Sequence, residues 1–177
     1  LYEGHKALTY PRTDSRYLPE DYLPTLKKTI SNLSDGGDKS QGVAPHASTA
    51  LENDWIKLSK RIFNNAKVSD HFAIVPTGQI PKSLSDVEKK IYQMVCQRTV
   101  AIFFPHAEWE LTTRITRIGE DAFRTAGKVL KVPGWLAVYG KEAQGEGDEE
   151  ADSAVLVPAV QGETCLLYTS PSPRDTA

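Results

Sequence analysis

Apolar residues recur every three or four positions in three stretches of the chain, at about 24–33, 47–63 and 85–104. This period predicts three helices, each with one buried face. Ser85 and Glu88 have the spacing of a capping box at the start of the third helix, and Pro105 ends it. The apolar face consists of Leu26, Ile30 and Leu33 in the first helix and would be a buried stripe of Leu51, Trp55, Leu58 and Ile62 in the second. The apolar residues of the third are Val87, Ile91, Met94, Val95 and Ala101.

The apolar period shortens to two residues after Pro105. Apolar residues and threonine alternate there with polar neighbours, which is typical of a β-strand, at Trp109, Leu111, Thr113 and Ile115. Further strand-like pieces are predicted over 121–139 and 154–160, and loops over 34–45 and 141–153. The pattern predicts an α+β chain, with a mainly helical part at 1–105 and a β-rich part at 106–164.

Charge is distributed unevenly along the chain. Residues 1–104 carry 14 Lys and Arg against 11 Asp and Glu, a net charge of +3, whereas residues 105–177 carry 7 against 12, a net charge of −5. The local positive excess permits contact with an anionic polymer. We expect no membrane span, since no run of about 18 apolar residues is present, and no secretory signal. Cys96 is predicted to be a buried thiol, in keeping with a reducing, cytosolic setting.

Both ends of the chain indicate a fragment. It begins at Leu1 within what reads as continuing structure. Residues 165–175, CLLYTSPSPRD, can be back-translated into codons that resemble the adapter of transposase-based sequencing libraries. We interpret 165–177 as translated adapter and expect the natural protein to continue beyond Thr164. The alternative is a Ser/Pro-rich disordered terminus.

The stretch TYPRTDS, residues 9–15, has the residue types that a tyrosine nucleophile needs. A phenol with a pKa near 10 is a poor nucleophile at neutral pH unless neighbours stabilise the charge that develops. In an extended segment Arg12 lies on the same side as Tyr10 and can hold a phosphate with two hydrogen bonds. Asp14 can pin Arg12, while Thr13 and Ser15 can donate to phosphate oxygens. The other interpretation is a surface turn in which Arg12 pairs with Asp14 and Tyr10 is half-buried.

Two separated motifs resemble one protein family. TYPRTDSRYLP, residues 9–19, resembles the active-site segment of type IA DNA topoisomerases, in the form found in bacterial DNA topoisomerase III, and LYEGHKAL resembles its lead-in. AKVSDHFAIVPTG, residues 66–78, is similar to the family's histidine segment, usually AHHAIIPT or AHEAIRPT. The family's pattern is also matched by two later stretches, SLSDVEKKIYQMV and PGWLAVYG. The resemblance covers about residues 1–164.

The resemblance implies a role for each matching residue. Tyr10 would form a covalent 5′-phosphotyrosine, and Arg12 would stabilise the phosphoryl transfer. Asp14 would orient a nearby donor, and His71 would contact DNA near the cleavage site. Asp70 replaces the small residue before that histidine, and Phe72 replaces the second histidine or glutamate. Backbone-phosphate contacts are expected from Lys6 and Lys67, with Thr13 and Ser15.

The resemblance also implies an architecture. Residues 1–105 would be a mainly helical, winged-helix-like catalytic domain, and 106–164 part of a β-rich arch with a hinge near Pro105. The parent enzyme would be an ATP-independent isomerase acting on single-stranded DNA in the bacterial cytoplasm, at the nucleoid. Its Mg²⁺ would be bound by an upstream domain, and this fragment would bind none and lack turnover without the remaining domains. Two alternatives remain: a non-catalytic winged-helix DNA- or protein-binding module, and, less favoured, a tyrosine recombinase or relaxase.

Overall fold

The computed structural model describes residues 1–36, 42–140 and 160. The chain forms helices α1 (Leu23–Asp35), α2 (Ala44–Glu52) and α3 (Asp86–Ala101), then strands β1 (Glu108–Ile118) and β2 (Asp121–Val132). Short 3-10 helices occupy Glu20–Tyr22, Asn65–Lys67 and Gly134–Tyr139. Two compact units are present, one of residues 1–110 and 130–140 and the other of residues 111–129. No described helix is long and apolar enough to cross a bilayer.

Helix α1 confirms the first predicted helix and its buried face. Pro24 lies in its first turn, where a missing backbone N–H costs little. Leu26, Ile30 and Leu33 are all fully buried. They pack in one core with Ala47 and Ala50 of α2, and the small alanine side chains let the two helices approach closely.

The second predicted helix is wrong in extent. Helix α2 ends at Glu52, because Asp54 adopts a positive φ of 50° that no helix continues. The chain beyond it is irregular, so the expected stripe does not form. Leu58 is 57% exposed, whereas Ile62 is buried.

Helix α3 confirms the predicted capping box. The Ser85 hydroxyl accepts from the Glu88 N–H while the Glu88 carboxylate accepts from the Ser85 N–H at 2.9 Å. The helix ends at Ala101, and the expected continuation to residue 104 is a turn.

The apolar residues of α3 are buried only in part. Val87, Ile91 and Met94 are exposed and Val95 is half-buried, whereas Ala101 is buried. The rest of the face in the core consists of Tyr92, Cys96, Thr99 and Val100. Apolar residues surround much of this helix, so the sequence pattern allowed either face. Cys96 is buried as predicted, and burial raises the pKa of its thiol to about 12, so it is uncharged at neutral pH.

Strands β1 and β2 form a two-stranded antiparallel hairpin. This confirms the strand predicted from Trp109 onwards and the α+β class. The strand-like pieces predicted over 121–139 are one strand to Val132 and then a 3-10 helix. The acidic loop at 141–153 and the strand at 154–160 fall outside the described residues except for Val160. The winged-helix and arch assignments stay predictions.

Candidate functional site

The two motifs that are distant in sequence lie side by side in the structure. We call residues 6–17 the tyrosine segment and residues 67–77 the histidine segment. An antiparallel bridge joins Leu8 to Pro76. Three backbone bonds of 3.0 Å extend the contact, from Thr9 N to Val75 O, from Ala73 N to Tyr17 O and from Thr77 N to Ala7 O. This pairing fixes the register of Tyr10 relative to His71.

The Thr9 side chain strengthens that pairing from within. Its hydroxyl donates to the Ala73 carbonyl at 3.2 Å and accepts from the Val75 N–H at 3.0 Å. Val75 is buried, so its N–H depends on a protein acceptor. Thr9 therefore satisfies backbone groups of the histidine segment next to the position of Tyr10.

Aromatic rings enclose Tyr10 on two sides. The ring of His71 lies against it, with centroids 4.2 Å apart and planes inclined by 34°. The ring of Tyr2 meets it edge to face, at 5.4 Å and 84°. Lys6 adopts a positive φ of 52°, and its ammonium lies 5.6 Å from the centroid of the Tyr2 ring. These contacts hold the Tyr10 phenol between an imidazole and a second phenol, and the Lys6 cation lies beside that second phenol.

Arg12 and Asp14 are both exposed beyond Tyr10. Within the part of the chain that the structure describes, no ion pair or hydrogen bond joins them or engages either side chain. The surface turn with an Arg12–Asp14 pair therefore does not form. The guanidinium retains its donors on the side of the segment that faces solvent.

Thr13 and Ser15 hold the two segments together. The Thr13 hydroxyl donates to the His71 carbonyl at 3.2 Å and accepts from the Ser15 N–H at 3.0 Å. The Ser15 hydroxyl donates to the Lys67 carbonyl at 2.9 Å. Lys67 in turn donates to the Tyr17 hydroxyl at 3.2 Å. The phosphate contacts expected of Lys6, Thr13, Ser15 and Lys67 stay predictions.

Phe72 packs away from Tyr10. Its ring stacks on Tyr22 at 4.8 Å, and it is half-buried against the core. Burial raises the pKa of the Tyr22 phenol, so Tyr22 stays neutral there. Phe72 therefore serves packing at this position, whereas Asp70 is exposed.

A contact that the sequence did not suggest links the lead-in to α3. His5 Nε2 lies 3.2 Å from Glu88 Oε1. Hydrogen bonds from the Ser85 hydroxyl and N–H, and then the nearby His5, lower the pKa of Glu88 to about 2. The residue that caps α3 thus also positions the chain leading to Tyr10. No local spacing could reveal this, because His5 and Glu88 are far apart in sequence.

The neighbourhood of Tyr10 does not fit a resident metal. Among the described residues, no group of three or more His, Cys, Asp or Glu side chains could hold an ion. Mg²⁺ in proteins prefers carboxylates combined with substrate phosphates, and Asp14 is the one carboxylate of the tyrosine segment.

Comparison with known proteins defines the family. The sequence model of the DNA topoisomerase family matches residues 1–174. The chain therefore belongs to this family. It is similar to DNA topoisomerase 3 of Bacillus subtilis (strain 168), with 40% identity over 174 residues, covering 96% of this chain and 23% of the relative. The resemblance to bacterial DNA topoisomerase III is thus confirmed.

Two further relatives agree. DNA topoisomerase 3 of Bacillus licheniformis is 38% identical over 166 residues, covering 93% of this chain and 22% of the relative. That of Bacillus cereus (strain ZK / E33L) is 40% identical over 172 residues, covering 94% and 22%. The chain spans less than a quarter of these relatives' length. The family match includes most of 165–177, residues outside the described part, and their interpretation as adapter stays a prediction.

Proposed function

We propose that this chain is the tyrosine-bearing segment of a type IA DNA topoisomerase that cuts and rejoins one strand of single-stranded DNA. One observation carries the proposal: the pairing of two distant motifs sets the Tyr10 phenol against His71, beside an exposed and unengaged Arg12. A buried structural tyrosine would not need a guanidinium free to bind an anion two residues away.

The chemistry is a reversible transesterification. The Tyr10 oxygen attacks a backbone phosphorus, an O–P bond forms, and the bond from phosphorus to the 3′ oxygen breaks. The phenol loses its proton and the departing oxygen gains one, which leaves a 5′-phosphotyrosine and a 3′-hydroxyl. Resealing reverses each step. The phosphodiester bond is exchanged for another phosphoester, so no ATP is required.

The neighbouring residues would supply the stabilisation that a phenol lacks. The Arg12 guanidinium would bind the phosphoryl oxygens as charge builds on them, since a preorganised cation costs no reorganisation during the reaction. His71 would fix the phenol by stacking and contact the DNA near the break. Asp14 would orient a donor or the substrate. Lys6 and Lys67 would contact flanking phosphates.

The segment would act within a longer polypeptide. The relatives are more than four times the length of the matched part, and we propose that another domain of the parent binds Mg²⁺, which neutralises phosphate charge when bound. The isolated chain would then lack turnover. A parent acting on bacterial DNA would work in the cytoplasm, at the nucleoid.

Covalent trapping tests this proposal. The full-length polypeptide that contains this segment is incubated with Mg²⁺ and labelled single-stranded DNA, then denatured. A 3′-end label should transfer to the protein and a 5′-end label should not, because the phosphotyrosine retains the downstream strand. Tyr10→Phe should abolish the transfer.

Tyr22→Phe is the matched control, since it removes the same hydroxyl from a tyrosine that packs on Phe72, outside the site and the groove, and should retain the adduct. An adduct that persists in Tyr10→Phe would place the nucleophile elsewhere. A folded parent that binds DNA but forms no adduct would favour the binding-module alternative. Transfer of the 5′ label would contradict the proposed polarity.

A further inference from the structure

A groove of about 700 Å³ lies in the larger unit, at the end of the tyrosine segment. We call it the arginine groove. Its walls come from distant parts of the chain: the end of the tyrosine segment, the irregular stretch after α2, the histidine segment, the end of α3 and the 3-10 helix after β2. The lining residues that matter here are Arg16, Tyr17, Arg61, Arg98, Phe104 and Trp135.

The groove concentrates positive charge. Arg16, Arg61 and Arg98 are all exposed, and throughout the described ranges no carboxylate lies within ion-pair distance of them. Three guanidinium groups at one cavity repel each other unless an anion offsets the repulsion. Guanidinium groups bind phosphate through paired hydrogen bonds.

Two of these arginines also have a structural explanation. Arg61 Nη2 donates to the Ile102 carbonyl at 2.9 Å, at the end of α3. Arg98 lies in the last turn of that helix, where a cation offsets the helix dipole. Arg16 has neither role, because it belongs to an extended segment and makes no described hydrogen bond. Arg16 is therefore the most informative position.

Aromatic surfaces in the groove favour a nucleotide over a simple anion. Trp135 is 39% exposed although it is a large apolar residue. Its backbone N–H donates to the Pro105 carbonyl at 2.9 Å, which anchors this part of the chain. Tyr17, which is half-buried, provides a further ring, whereas the ring of Phe104 is buried against Trp55. Bases stack on such rings while cations hold the backbone, whereas an acidic peptide would use the cations alone.

The groove and the site around Tyr10 share the tyrosine segment and the histidine segment. Arg16 lies six residues after Tyr10 in the same segment, and six extended residues span at most about 20 Å. Exposure alternates along this segment, so that Arg12, Asp14 and Arg16 are exposed while Thr13, Ser15 and Tyr17 are half-buried. Stacked single-stranded DNA rises about 3.4 Å per nucleotide, which makes this distance at most about six nucleotides.

We propose that the arginine groove is a non-covalent site for single-stranded DNA, which holds the strand within about six nucleotides of the phosphate that Tyr10 attacks. Its link to cleavage rests on the proposed function, but binding does not require the Tyr10 hydroxyl. A held strand would keep a broken end from diffusing away before resealing.

Equilibrium binding to the 177-residue chain tests the groove separately from cleavage. All proteins carry Tyr10→Phe, and binding of a fluorescent oligo(dT) is followed by anisotropy at several salt concentrations. Arg16→Gln combined with Arg98→Gln should lower the affinity about tenfold at low salt. It should also make the slope of log K against log salt shallower by about 1.4, or 0.7 per lost phosphate contact.

The matched control combines Lys28→Gln with Lys90→Gln. It removes the same charge from exposed positions outside the groove and should leave the slope unchanged. Because the double arginine variant could misfold, Arg16→Gln is also tested alone, and it should make the slope shallower by about 0.7. Trp135→Leu should weaken binding about tenfold with no change of slope, because stacking releases no counterions.

Equal slopes for the arginine and lysine pairs would overturn the proposal, since binding would then depend on overall charge. Absence of DNA binding by the parent chain would overturn it too, and would leave an acidic protein segment as the occupant. If the groove variants bind as tightly as their parent while the adduct test succeeds, the groove alone is refuted. If groove binding holds while no adduct forms, the nucleophile assignment alone is refuted.

Discussion

Replacing Thr9 with valine tests whether the pairing of the two segments positions Tyr10. Valine has nearly the same shape but no hydroxyl, so the Val75 N–H loses its 3.0 Å acceptor and the Ala73 carbonyl loses its 3.2 Å donor. Each hydrogen bond contributes about 1 kcal/mol, and a buried donor without a partner costs about 1–3 kcal/mol. We expect the free energy of unfolding to fall by about 2 kcal/mol, a large part of a typical 5–15 kcal/mol.

Urea denaturation of the 177-residue chain measures this loss, and trapping in the full-length polypeptide measures the effect on cleavage. The adduct should form more slowly in Thr9→Val, because the stack of Tyr10 on His71 loses its fixed register. Thr9→Ser, which keeps the hydroxyl, should restore most of both quantities. Thr49→Val is the control, since it removes a hydroxyl bond inside α2, far from Tyr10 in sequence. If Thr9→Val and Thr49→Val slow adduct formation equally, the positioning role of Thr9 is refuted.

Two further changes test the supporting structure. Gly134→Ala should destabilise the larger unit by more than about 2 kcal/mol, because φ is +50° and a Cβ would lie 2.5 Å from the Pro105 carbonyl oxygen. Gly140→Ala, where φ is +73° and the space around a Cβ is open, should destabilise the protein clearly less in the same thermal melts. Equal destabilisation by the two changes would contradict the steric explanation. Glu88→Gln should lower the melting temperature at pH 7 but not at pH 2. Because the pKa of Glu88 is lowered, its contribution to stability is complete above pH 4.5 and is lost as pH falls towards about 2. A difference in melting temperature between the two proteins that stays constant with pH would contradict this prediction.

Local signals in the sequence identified the elements whose causes are local. The face of α1 and the capping box at Ser85 and Glu88 depend on residues within a few positions of one another, and both are confirmed. The end of α2 also has a local cause, which the apolar period does not reveal: Asp54 adopts a positive φ, its N–H donates to the Leu51 carbonyl and the Trp55 N–H donates to the Ala50 carbonyl, as in a Schellman cap. The face of α3 was ambiguous because apolar residues surround it, and contact with the rest of the core selects Tyr92 and Cys96.

The candidate site divides in the same way. The motif around Tyr10 was visible because its residues are neighbours in sequence. The partners that hold it were not, because the hydroxyls of Thr9, Thr13 and Ser15 find their acceptors in the histidine segment. The arginine groove was missed for the same reason: Arg16, Arg61 and Arg98 have no common spacing and meet only in the folded chain.

The alternation along the tyrosine segment explains why so many polar residues occur together. Thr13 and Ser15 are half-buried and use their hydroxyl protons on protein carbonyls, whereas Arg12, Asp14 and Arg16 are exposed. In an extended segment these two sets face opposite sides. Changes to the inward set should therefore alter stability first and cleavage through it. Changes to the outward set should alter cleavage or DNA binding while the free energy of unfolding stays nearly constant, because those side chains make no described bond within the protein.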